Sequence, residues 1–144
     1  MKTYTLRRPD WLTLTVGGKP HCGYDQEWYP DPWQQKAGCG PTTGAAIAAY
    51  IEAKTRGIRP ADKEAALAKM QAFWPYAAPR RHGLYKTRWL MEGLAAYLRD
   101  QGLPGRADMF SVPPATMMSA SPARMARAPS ITLFMPEPHT MPTV

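Results

Sequence analysis

The prolines in the last part of the chain constrain its fold more than any other feature. Seven of the sixteen prolines fall within residues 111–144. They recur too often for a helix interior or a central strand, because proline lacks an N–H donor and clashes with the preceding helical turn. The same stretch shows no hydrophobic periodicity among its Pro, Ala, Met, Ser and Thr residues. We therefore expect residues 111–144 to form an irregular or disordered tail and residues 1–110 to form the folded domain.

Residues 1–110 predict an α+β domain with short strands near its beginning. Apolar and polar residues alternate around Tyr4 and Leu6, and again from Leu12 to Val16. This alternation favours two short strands. The Gly-Gly-Lys-Pro run at residues 17–20 is expected to break the chain after them.

Three later segments have the 3.6-residue apolar spacing of amphipathic helices. These segments are residues 42–55, 60–73 and 87–100. Thr42 or Thr43 is the expected cap of the first helix, and Pro60 is the expected first residue of the second. Thr87 is expected to cap the third helix, and Gly102 to stop it. The expected buried face of the third helix consists of Leu90, Met91, Leu94, Tyr97 and Leu98.

An aromatic-rich segment precedes the first of these helices. Residues 25–36 predict a loop that contains Trp28, Tyr29 and Trp33. Aromatic clusters more often belong to a core than to a binding surface, so we expect these rings to cover the helix rather than to line a cleft.

A lone thiol stands between glycines where the first helix begins. Residues 38–46 read Gly-Cys-Gly-Pro-Thr-Thr-Gly-Ala-Ala. The unpaired N–H groups of a first helical turn carry partial positive charge and favour a thiolate, so Cys39 suits a nucleophile. The same pattern also suits a small buried cysteine beside a helix-start signal, with Pro41 in the first turn. The spacing alone leaves both interpretations open.

Around Cys39 the chain resembles the papain-like cysteine peptidases, in particular the bacterial branch that includes the double-glycine leader peptidases. The resemblance spans about residues 23–103, with its core at residues 37–46 and support from Tyr-Asp-Gln-Glu-Trp-Tyr-Pro at residues 24–30. It implies the helical N-terminal half of a papain-like fold. It also implies that Cys39 cleaves a peptide or amide bond of a peptide or protein substrate, with no metal or organic cofactor.

The resemblance further implies a glutamine that donates to the oxyanion a few residues before the cysteine. The usual offset of six residues falls on Trp33. Gln34 and Gln35 lie slightly closer to Cys39, and Gln26 lies considerably farther away. Gln34 is the favoured donor, and Gln35 is its alternative.

The general base departs from the family pattern, in which a histidine begins a downstream hydrophobic strand. The sequence contains no such segment, and its histidines are His21, His82 and His139. His139 follows the cysteine in the chain, as the base does in the family, and is the candidate base. Pro136 and Pro138 are incompatible with a central strand at this position. Loss of one member of a catalytic unit costs several orders of magnitude in rate, so we expect little or no peptidase activity.

Two interpretations of function follow from this gap. The first is a cysteine peptidase-like protein that is incomplete or inactive as it stands, a truncated or frame-altered copy whose second half has been replaced. The second is a non-catalytic remnant or protein-interaction module that keeps the thiol helix. A base encoded downstream would distinguish them.

Charge and hydropathy disfavour nucleic-acid and membrane partners. The chain has 18 Lys and Arg residues against 11 Asp and Glu residues, a formal charge of +7. The basic residues cluster near residues 80–88 but are diluted by acids elsewhere, so they form no continuous phosphate-binding stripe. No run approaches the roughly twenty apolar residues of a membrane span, and no signal peptide is evident, so we expect a cytoplasmic chain. Cys22 and Cys39 are therefore expected to be free thiols. Together with His21 they offer three possible zinc ligands, but a structural zinc site needs a fourth, so we expect no zinc site.

Overall fold

The computed structural model describes residues 5–84, 86–110 and 130–134. Within these residues it has four α-helices and two two-stranded antiparallel sheets, which confirms the α+β class. The helices are α1 (Pro32–Ala37), α2 (Cys39–Arg56), α3 (Lys63–Phe73) and α4 (Thr87–Asp100). The strands are β1 (Thr13–Val16), β2 (Lys19–Cys22), β3 (Arg106–Phe110) and β4 (Ser130–Phe134). Short 3₁₀ turns occupy Pro9–Leu12, Gln26–Trp28 and Trp74–Tyr76.

The first two strands form a tight hairpin. β1 and β2 pair antiparallel through Gly17 and Gly18, whose φ angles are 58° and 77°. A two-residue type I′ turn requires positive φ at both positions, and glycine adopts it without strain. The glycines therefore connect two strands instead of ending the sheet. The expected earlier strand is wrong at Leu6, which belongs to no strand, and Tyr4 lies outside the described residues.

Residues 25–36 contain helical turns where the sequence predicts a loop. The Asp31 side chain accepts hydrogen bonds from the backbone N–H groups of Trp33 (2.8 Å) and Gln34 (3.1 Å). Asp31 therefore caps α1, and Pro32 occupies the first helical position. Asp followed by Pro is a helix-start signal, and it prevails over the high aromatic content of this segment.

Cys39 lies at the start of α2, as the sequence predicts, but the helix begins at Cys39 itself and not at the expected residue 42. The expected threonine cap is wrong, because Gly38 is the N-cap and both threonines lie inside the helix. Thr43 instead donates its hydroxyl hydrogen to the Cys39 carbonyl oxygen, 2.8 Å away. The helix therefore starts earlier than the capping threonine would allow. It ends at Gly57, which adopts a left-handed conformation with φ 69°.

The other two long helices fall close to their predicted positions. α3 starts later than expected because Asp62, and not Pro60, leads into it: the Asp62 carboxylate accepts a hydrogen bond from the Ala65 N–H at 2.8 Å. α4 spans the predicted residues, but Thr87 is its first helical residue and not its cap. Gly102 follows with φ 65°, which suits its predicted role as a helix stop.

The hydrophobic core lies where α2, α3 and α4 meet. Two glycines allow the helices to approach: a Cβ on Gly44 would overlap the Phe73 ring, and one on Gly93 would overlap the Tyr76 carbonyl. Each large buried side chain contributes about 1.5–3 kcal/mol to stability. The largest fully buried side chains of the core are Tyr29, Ile51, Met70, Phe73, Leu94 and Leu98.

One segment of the proline-rich region is a strand. β4 pairs antiparallel with β3, which packs against α4. These five residues differ from the irregular tail that the prolines predict. The sequence between Pro129 and Pro136 contains no proline and includes two β-branched residues, which favours a strand. Residues 111–129 and 135–144 lie outside the described part of the chain.

Candidate functional site

The Cys39 thiol is exposed and opens on a cavity of about 430 Å³. Helix α1 forms one wall of this cavity, and the segment that precedes α4 forms the other. The cavity is lined by Trp33, Lys36, Ala37, Cys39, Arg81, His82, Gly83 and Leu84. We call it the Cys39 cavity.

Hydrogen bonds hold the α1 wall against the preceding 3₁₀ turn. Gln35 donates its side-chain amide to the Tyr29 carbonyl oxygen at 2.7 Å, and Gln26 donates to the Gln35 carbonyl oxygen at 2.6 Å. Trp33 and Lys36 stand three residues apart, so they share one face of α1. Both are exposed, and Trp33 retains 43% of its accessible surface. α1 therefore presents one flat aromatic ring and one positive charge to the cavity.

The aromatic residues before Cys39 divide between two roles. Tyr29 is fully buried, and a Cβ on Gly38 would come within 2.7 Å of its ring carbon Cε2. It therefore covers the start of α2, as expected. Trp33 lines the cavity instead, contrary to the expectation that the rings only cover the helix.

A tight turn forms the opposite wall. The Gly83 N–H donates to the Arg80 carbonyl oxygen at 2.7 Å, and the Arg80 N–H donates to the Gly83 carbonyl oxygen at 3.3 Å. Gly83 has φ 78°, which glycine adopts most readily. Arg81 and His82 therefore occupy the tip of the turn. We call residues 80–83 the His82 turn.

The structure brings Cys39 and His82 to the same cavity. The base predicted from the sequence, His139, lies outside the described residues. His21 is not among the lining residues, and its ring lies 5.3 Å from that of Trp28. No local pattern identifies His82, because its approach to Cys39 depends on how two distant segments pack. The only available signal is a histidine followed by glycine, which indicates a turn.

The two candidate oxyanion donors bond to other groups. Gln34 and Gln71 exchange a side-chain amide hydrogen bond of 3.0 Å, which links α1 to α3. Gln35 bonds to backbone carbonyls of the preceding turn. The described residues that line the Cys39 cavity include neither glutamine. Their role as oxyanion donors stays a prediction.

The described lining of the cavity is positively charged. Lys36 and Arg81 contribute two cations, and no Asp or Glu is among the lining residues. The neighbouring Arg80 points elsewhere, since its guanidinium stacks 4.0 Å from the centre of the Trp89 ring. An anionic group in this cavity would therefore meet attraction without a competing carboxylate.

The described residues offer no evident metal site. No group of three or more His, Cys, Asp or Glu side chains there could hold an ion. Both cysteines are free and exposed. The helices in this part of the chain also lack the length and apolar character needed to cross a membrane.

We found no family model, curated protein or solved structure that matches this chain.

Proposed function

We propose that this chain is a cysteine peptidase-like thiol hydrolase in which Cys39 is the nucleophile and His82 is the general base. One observation carries the proposal: both side chains line a single open cavity. A nucleophile and a base must come within hydrogen-bond reach of each other, and only groups that share a cavity can do so around one substrate.

The reaction is acyl transfer in two halves. His82 accepts the thiol proton, and the Cys39 sulfur attacks the carbonyl carbon of a peptide or amide bond. The backbone N–H groups at the start of α2 donate to the oxyanion that forms. As the C–N bond breaks, the His82 imidazolium returns a proton to the leaving amine. Water then hydrolyses the thioester, with His82 again taking the proton.

His82 is the general base that the sequence analysis does not identify. That expectation of little or no activity rested on the lack of a histidine on a downstream strand. A base does not need a strand, however, if another rigid element carries it into reach. The paired Arg80–Gly83 backbone makes the His82 turn short and defined.

A second candidate is a non-catalytic interaction module that retains the thiol helix. The hydrogen bonds of Gln34 and Gln35 favour it, because both amides are committed to holding α1 in place. A papain-like enzyme uses such an amide to stabilise the oxyanion. In this candidate Cys39 would react no faster than an ordinary exposed thiol.

Labelling with an epoxysuccinyl peptide, which alkylates activated cysteines, distinguishes the two candidates. Mass spectrometry of proteolytic peptides from the labelled chain should show labelling of Cys39 well before Cys22, and His82→Ala should slow the labelling of Cys39 at least tenfold. Cys39→Ser should abolish the fast label, and His21→Ala should not affect it. Equal rates at both cysteines would favour the interaction module. Thermal unfolding of each variant reports whether it is folded.

A further inference from the structure

The charges around Cys39 define a class of substrate. Lys36 enters the cavity from α1 and Arg81 enters from the His82 turn, so the two cations stand on different walls. A negative group bound beside the thiol would be attracted by both. This argument rests on the proposed function, because it takes Cys39 as the group that attacks the substrate.

Neither of these two charges is paired with a carboxylate in the described part of the chain. Some basic side chains elsewhere form ion pairs with carboxylates: Arg8 with Asp10, Lys69 and Arg56 with Glu52, Arg88 with Glu92, and Arg106 with Asp108. Lys36 and Arg81 form no ion pair with any described residue, and the described residues that line the cavity include no Asp or Glu. Guanidinium and ammonium groups that lack a carboxylate are available to bind one from a ligand.

We infer that the Cys39 cavity selects peptides that carry a carboxylate next to the scissile carbonyl. The carboxylate is either an acidic side chain or a free C-terminus. Lys36 and Arg81 bind it from opposite walls and thereby position the carbonyl carbon at the Cys39 sulfur. They act as specificity-determining residues and take no part in proton transfer.

Two alkylating reagents of similar size test this electrostatic preference without any turnover. Iodoacetate is an anion, and iodoacetamide is its neutral counterpart. The ratio of their rates at one thiol does not depend on how much of that thiol is ionised, because both reagents meet the same thiolate. Cys22, which is exposed and lies on β2, supplies the reference ratio in the same molecule.

We expect the iodoacetate-to-iodoacetamide ratio at Cys39 to exceed that at Cys22 by about two- to fivefold at low ionic strength, and the excess to fall as salt is added. Lys36→Gln and Arg81→Gln should each reduce the excess, and the double variant should remove it. Lys54→Gln is the matched control, since Lys54 is exposed near the far end of α2, about 22 Å along the helix from Cys39. Equal ratios at the two cysteines, or an excess that survives the double variant, would overturn the inference.

Fluorogenic peptides with Glu or Gln before the scissile bond, each with a free or an amidated C-terminus, identify the source of the carboxylate. A preference for Glu indicates the side chain, and a preference for the free C-terminus indicates the terminal group. Turnover with neither preference would overturn the inference and leave the proposed function intact. A retained reagent preference without turnover of any peptide would overturn the proposed function and leave the preference for anions standing.

Discussion

Leu84 packs against Gly40 so closely that a side chain on Gly40 would displace it. A Cβ on Gly40 would lie 3.1 Å from the Leu84 Cβ and closer still to its Cδ2. Gly40 follows Cys39, and Leu84 follows the His82 turn. Their contact therefore sets the position of His82 relative to Cys39.

Gly40→Ala should push Leu84 and the His82 turn away from α2. We expect labelling of Cys39 by the epoxysuccinyl peptide to slow several-fold, while the helix itself tolerates alanine well. Removing the obstruction with Leu84→Ala in the same chain should restore part of the rate. An unchanged rate in Gly40→Ala, with the melting temperature also unchanged, would show that this contact does not position the turn.

Gly44→Ala should destabilise the core where α2 meets α3. The added methyl group would overlap two atoms of the Phe73 ring, which is fully buried. We expect a loss of about 1–3 kcal/mol in the free energy of unfolding, measured by urea denaturation. Lys54→Ala is the control, because this position on α2 is exposed and its substitution should change the free energy by less than about 0.5 kcal/mol. Equal stability of both variants would contradict the packing described here.

Stability should fall at alkaline pH because Tyr29 and Tyr97 are buried and Tyr24 is half-buried. Burial is the main cause that raises the pKa of Tyr24, Tyr29 and Tyr97, and Glu52 adds to the shift for Tyr24 and Tyr97. A raised pKa means that the folded state favours the neutral hydroxyl. Its contribution is complete below the unfolded pKa of about 10, and it is lost as the pH rises through the raised folded value.

Urea unfolding from about pH 8 to about pH 11 checks this expectation. The free energy of unfolding should decline above about pH 10, and the decline should be shallower in Tyr24→Phe, which removes one of the titrating groups. The tyrosinate absorbance of the native chain should rise in step with unfolding. A flat profile in that range would show that these hydroxyls are accessible to solvent.

Local patterns predict the helices well but not all of their first residues. The apolar spacing of Leu90, Leu94 and Leu98 fixes α4, because a period of 3.6 residues leaves few alternatives over four turns. The start predicted for α2 is too late, because a threonine cap is a strong local signal. The structure uses the glycine before Cys39, where the chain turns directly from α1 into α2.

Of the candidate site, the sequence predicts Cys39 but not the position of His82. Cys39 is recognisable because its helix start and its glycines are neighbours in sequence. The approach of His82 depends on a turn that packs through Leu84 onto Gly40, a contact between distant segments that no periodicity reports. Likewise the hydrogen bond between Gln34 and Gln71 depends on the packing of α1 against α3. The spacing of Gln34 from Cys39 therefore could not predict this contact with Gln71.

Turnover of a fluorogenic peptide mixture by the intact chain tests most directly whether Cys39 and His82 act together. We predict cleavage that disappears with Cys39→Ser and falls about 10²–10⁴-fold with His82→Ala, while His21→Ala and Cys22→Ser retain it. His139→Ala should also retain it. Cleavage that survives Cys39→Ser or His82→Ala, or is lost with His139→Ala alone, would contradict the assignment, as would a folded wild-type chain that cleaves nothing.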